Sequence, residues 1–124
     1  MSFRSVSSAT ALLFTILCAT LVFFPQPIYW LFGLDPHALG DFMARRAGVL
    51  FLGLALIVWL TRETGDPAVQ KAICLALAVM MLGLAAMGTF EFARGYAEPG
   101  IWLAIVGEIT IGAAYVHVWR RTRA

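Results

Sequence analysis

Charge is what this chain has least of. Only 13% of its 124 residues are charged, against 61% hydrophobic, and the mean hydropathy is +0.85. A soluble domain of that composition would lack the polar surface to cover itself, so lipid has to be the covering solvent. The net charge of only +2 leaves no basic surface of the kind a nucleic-acid partner needs. Cysteine is scarce too. Cys18 and Cys74 form no CxxC pair and no disulfide framework, and read as small buried hydrophobes at different depths. The sequence also lacks a Walker-type loop, an HExxH pair, a nucleophile elbow and any catalytic Cys/His spacing, so no enzyme is expected. No cofactor and no metal are expected either.

What the chain does have is four long apolar runs, near residues 6–24, 42–61, 68–90 and 100–119. A hydrocarbon core of about 30 Å needs roughly 20 helical residues at about 1.5 Å each, and every run meets that length. The runs are Leu/Ala-rich and apolar on all sides, whereas a membrane β-barrel needs short alternating segments. The expected fold is all-α: one transmembrane domain, 1–124, forming an antiparallel up-down four-helix bundle. Arg4 before the first run suggests a secretory signal, but Val22-Phe23-Phe24-Pro25 is too bulky for signal peptidase, so the run reads as a mature helix.

Lys and Arg placement sets the expected orientation. Arg4, Arg62, Lys71, Arg120, Arg121 and Arg123 fall on one side, and Arg45, Arg46 and Arg94 on the other. This bias places both termini in the cytoplasm of a bacterial inner-membrane, multi-pass protein. The Arg120-Arg121-Thr122-Arg123 tail reads as a topology anchor touching anionic lipid heads.

Asp35-Pro36 and Asp66-Pro67 each set a capping carboxylate before a proline, predicting helix starts near 36 and 67. Pro25 and Pro27 end the first helix, and residues 25–35 read as an outer aromatic loop whose Tyr29, Trp30 and Phe32 sit at the membrane interface. This loop serves either as an anchor or as a lid or docking site. In lipid, helices pack through small residues, and Gly48, Gly53, Ala72, Ala76, Gly83, Gly88, Ala104, Gly107 and Gly112 supply them.

Glu108 most needs an explanation. It lies about two turns into the last helix, on a face shared with Ala104, Ile105, Ile111, Gly112 and Tyr115. A lone charge at that depth costs a few kcal/mol on insertion scales, so Glu108 has to be paired, protonated or open to water. Arg45, Arg46, Glu91 and Arg94 approach from the same outer side, and an Arg/Glu cluster is expected there. Either an arginine pairs with Glu108 or Glu91 to fix helix register, or the cluster is a ligand or proton site. His117 lies on the opposite face of the last helix and has no second histidine at its depth. Met80, Met81 and Met87 spread over several faces and read as adaptable packing.

The stretches Phe32-Gly33-Leu34-Asp35-Pro36, Ala44-Arg45-Arg46-Ala47-Gly48 and Leu52-Gly53-Leu54 resemble small four-helix bacterial membrane proteins of the DoxX-like group. The resemblance covers the middle of the chain. It implies a four-helix inner-membrane protein, some relatives being associated with quinone-linked redox complexes, and it carries over no catalytic residue. The function expected from the whole sequence is non-enzymatic: a structural or accessory subunit of a larger membrane complex. The alternative is a small carrier or binding protein for an amphipathic or anionic ligand, such as a quinone or lipid, at the Arg/Glu cluster.

Overall fold

The computed structural model describes residues 1–123; Ala124, the last residue of the expected domain, lies outside them. The described residues form five helices and no strand: α1 (Phe3–Phe23), α2 (Gln26–Phe32), α3 (Ala38–Thr61), α4 (Pro67–Ala93) and α5 (Ile101–Arg121). Four of these are long and apolar enough to cross a bilayer. The fifth, α2, occupies the segment expected to be a loop.

Local chemistry explains most of the boundaries. The Ser2 hydroxyl accepts the Ser5 N–H at 3.1 Å and starts α1 three residues before the apolar run. At the far end Phe24 precedes Pro25 and leaves the helical region, as steric conflict with the proline ring requires. Asp66 caps α4 as expected, its Oδ1 accepting the Ala68 N–H at 2.8 Å with Pro67 next in line. Asp35 does not cap α3. His37 does so instead, its Nδ1 accepting from Gly40 N at 3.0 Å, and the helix begins two residues after Pro36. The short α2 stops at Gly33, whose φ of 69° is left-handed, and the Leu34 N–H closes onto the Tyr29 carbonyl at 2.8 Å.

The long helices pair by sequence proximity. α1 lies along α3 and α4 along α5, while α1 also meets α5. Both pairs are antiparallel: Gly48 of α3 backs onto Val22 and the Cys18 carbonyl, and Arg4 reaches Glu63 just beyond α3. In the second pair Gly112 backs onto Leu82 and Gly88 onto Ile105. These glycines act as small residues that let helix surfaces meet, which is how association proceeds where lipid removes the hydrophobic drive. Gly53, Gly83 and Gly107 do not share that role, since nothing within 4 Å would meet a side chain there.

Threonines within the spans close their hydroxyls back onto their own helix. Thr15 donates to the Ala11 carbonyl, Thr89 to Ala85 and Thr110 to Val106, which satisfies them in an environment without water. The larger core, around Phe14, Val58, Leu77, Met81 and Tyr115, fills the half of the bundle near Arg4. A smaller one, around Ala85, Ile101 and Ile105 with Phe32 and Phe92 against it, fills the half near Arg94. Leu12, Ile16, Leu50, Leu60 and Leu103 lie exposed on the outside, as lipid-facing residues do.

Candidate functional site

The two cores leave a space between them. An apolar cavity of about 390 Å³ lies where α1 meets α5, roofed by α2. Leu13, Phe14, Leu17 and Leu21 of α1 form one wall, and Ala104, Gly107, Glu108 and Ile111 of α5 the other. Phe51 of α3 and Met81 of α4 close the back, and Ile28, Leu31 and Phe32 come down from α2. Glu108 is the one ionisable residue in this lining. It is partly buried and makes no hydrogen bond or ion pair among the described residues.

The roof is built from contacts on both sides. The Tyr29 hydroxyl donates to Asp41 Oδ1 at 2.9 Å, tying α2 to the first turn of α3. Burial and that bond push the Tyr29 hydroxyl above its ordinary value, since both disfavour the phenolate. On the other side the Glu98 N–H donates to the Phe32 carbonyl at 2.9 Å. Gly100 abuts the Leu31 carbonyl so closely that a Cβ there would collide with backbone, and Gly33 lies against the Glu98 side chain. The turn between α4 and α5 therefore clasps the C-terminal end of α2.

The expected aromatic belt divides. Trp30 is 80% exposed, as an interfacial anchor should be, but Tyr29 is buried at 8% exposure and Phe32 packs on the smaller core. The difference follows from α2 being helical, because consecutive aromatics then point in different directions.

The expected Arg/Glu cluster does not assemble around Glu108. Arg94 pairs with Glu91 at 3.6 Å within one helix end, and its guanidinium lies over the Phe90 and Tyr96 rings. Arg46 lies over the Phe42 ring, 5.6 Å from its centroid. Arg45 is exposed and lies close enough to Tyr29 to act on it electrostatically. Neither Arg45 nor Arg46 pairs with Glu108 or Glu91 among the described residues. The physical reason is helix placement: Arg45 and Arg46 lie on α3, which packs along α1, whereas Glu108 lies on α5, which packs along α4, and Arg46 turns back over Phe42 of its own helix.

Of the face expected for Glu108, Ala104 and Ile111 share the cavity wall, but Ile105 and Gly112 turn toward α4. The α1 wall was not singled out from the sequence, although the spacing of Phe14, Leu17 and Leu21 marks one helical face.

At the opposite end Arg4 and Arg62 share Glu63 at 3.3 and 3.4 Å, and Arg62 stacks on the Trp59 ring at 3.5 Å. Deeper in, the Tyr115 hydroxyl lies close to Thr10 and Ser7, yet neither it nor Ser7 Oγ has a hydrogen-bond partner among the described residues. Cys18 and Cys74 are both free thiols. Among the described residues no group of three or more His, Cys, Asp or Glu is placed to hold a metal ion.

Compared with family models, curated proteins and solved structures, the chain matches none.

Proposed function

We propose that this polytopic membrane protein is a small binding protein or carrier that holds an amphipathic molecule in the cavity beneath α2. The observation that carries this reading is an apolar space of about 390 Å³ whose wall bears one unpartnered carboxylate. Pockets of a few hundred cubic ångström with few polar groups are the usual form of small-molecule sites. The lining of this cavity is almost wholly apolar, so a molecule with an apolar body gains there the dispersion contacts that an unfilled space forfeits.

Purification in mild detergent, with mass spectrometry of bound small molecules, tests the reading. Wild-type protein is expected to carry an enriched small molecule, and Ala104→Phe, which fills the cavity, to lose it. Equal small-molecule content in both would overturn it.

A second reading, a structural or accessory subunit of a larger membrane complex, is supported by Gly53 and Gly83. Both present open space where another helix could approach closely. The DoxX-like likeness of residues 32–54, with the inner-membrane location and cytoplasmic termini proposed for the chain, is compatible with an accessory or a ligand-binding subunit. Stoichiometric partner proteins in the same purification would favour the accessory role.

A further inference from the structure

We infer that the ligand of the Glu108 cavity is a lipophilic cation: an apolar body bearing one positive charge, such as a protonated amine, which pairs with the Glu108 carboxylate. The inference rests on the cavity being a ligand site and adds the class of ligand.

Charge complementarity carries it. A carboxylate facing an apolar wall is costly unless something compensates it, and no protein cation does so here. The arginines nearest in the chain fold are engaged or placed elsewhere: Arg94 with Glu91 and two rings, Arg46 over Phe42, and Arg45 exposed near Tyr29. Arg4 and Arg62 share Glu63 at the far end, where Lys71 lies over the Trp119 ring. No Lys or Arg lines the cavity. The missing positive charge has to be a proton or a ligand's own.

The rest of the lining fits the same class. Phe14, Phe51 and Phe32 bring three aromatic rings to the space, and ring faces attract cations more strongly once water is excluded. Beside Glu108 no lining side chain carries a hydrogen-bonding group, so nothing would recognise an anionic head. The carboxylate would repel one. Of the amphipathic or anionic ligand expected at Arg45, Arg46, Glu91, Arg94 and Glu108, the amphipathic body is kept and its head is given a positive charge.

There is also room for an apolar tail. A groove of about 400 Å³ continues along α1 and α5 toward the Arg4 end and shares Leu13 and Ile111 with the cavity. Val6, Ala9 and Ala114 line it, with the Thr110 hydroxyl already bonded within its helix. A head at Glu108 and a chain along this seam would lie roughly parallel to the helices.

Tetraphenylphosphonium and tetraphenylborate, alike in shape and opposite in charge, separate charge recognition from apolar filling. Each is measured by equilibrium dialysis against full-length protein in lipid nanodiscs, with empty nanodiscs subtracted. The cation is expected to bind saturably and the anion not. Glu108→Gln should weaken the cation by at least about tenfold, with helicity unchanged and the melting temperature of the ligand-free protein equal or higher, and Glu108→Asp should restore part of the loss. Should Glu108→Gln fail to fold, Ala104→Phe provides the blocked-cavity comparison. Equal binding of both ions, with Ala104→Phe abolishing both, would overturn the cation while keeping the cavity as a site. Absence of saturable cation binding overturns it too. In that event a small molecule retained by purified wild type but not by Ala104→Phe shows the broader reading still standing.

Discussion

The Tyr29 hydroxyl donates to Asp41 Oδ1 at 2.9 Å and so fastens the roof helix α2 to the first turn of α3. A neutral phenol can make this bond, whereas a phenolate would instead face a carboxylate. The folded-state pKa is raised from 10.0 by burial first and by Asp41 second. A raised folded value means that the stabilisation is complete below about pH 10 and is lost as pH rises through the folded value. Wild type should therefore lose melting temperature in the alkaline range more steeply than Tyr29→Phe. At neutral pH Tyr29→Phe should itself be less stable by about 1.5–3 kcal/mol, the usual size for a hydrogen bond to a charged group. Thermal melts in detergent from about pH 7 to about pH 11 measure both; parallel curves would show that Tyr29 is not the alkaline-sensitive group.

The contact between Gly100 and the Leu31 carbonyl makes a separate prediction. A methyl group there meets backbone, which cannot rotate away, so Gly100→Ala should displace the end of α2 and cost about 1–3 kcal/mol. Gly53→Ala meets nothing within 4 Å and gains helix propensity, so it should be neutral or stabilising by up to about 1 kcal/mol. Melting temperatures of the two variants check the contrast. Labelling of a cysteine introduced at Leu31 should rise in the Gly100→Ala background alone.

Tyr115 is fully buried, and its hydroxyl lacks a partner among the described residues. Removing a buried unpaired polar group while keeping the ring should stabilise the protein, by about 1 kcal/mol. Tyr115→Phe is thus expected to melt at or above the wild-type temperature. A marked fall would mean that the hydroxyl is bonded, most directly to Thr10 or Ser7 beside it.

The four spans were legible because a long apolar run has one physical solution in lipid, the helix. Asp66-Pro67 marked its boundary as expected because cap and proline act locally. Asp35-Pro36 misled because His37 offers a competing acceptor two residues on, and local rules cannot rank two adequate caps. The α2 helix was hidden behind two prolines, although Pro25 and Pro27 sit where a helix tolerates them, at its cap and first turn. Glu108 stood out by burial alone, which needs only depth. Its surroundings did not, because whether an arginine reaches a carboxylate depends on side-chain direction and helix rotation. Phe51 and Met81 join the cavity from helices far away in the chain, a relationship no local pattern carries.

The pairing of α1 with α3 and of α4 with α5 divides the bundle into two hairpins. In the first hairpin α2 is fastened to α3 through Tyr29 and Asp41, but its C-terminal end is completed only by the α4–α5 turn, where the Glu98 N–H meets the Phe32 carbonyl. The backbones of α3 and α4 scarcely touch, so the two hairpins meet along α1 and α5 and through the side chains of the shared core. The Glu108 wall belongs to the second hairpin and the Phe14 wall to the first. The cavity beside Glu108 therefore exists only where the two halves meet, and anything that loosens their contact opens it.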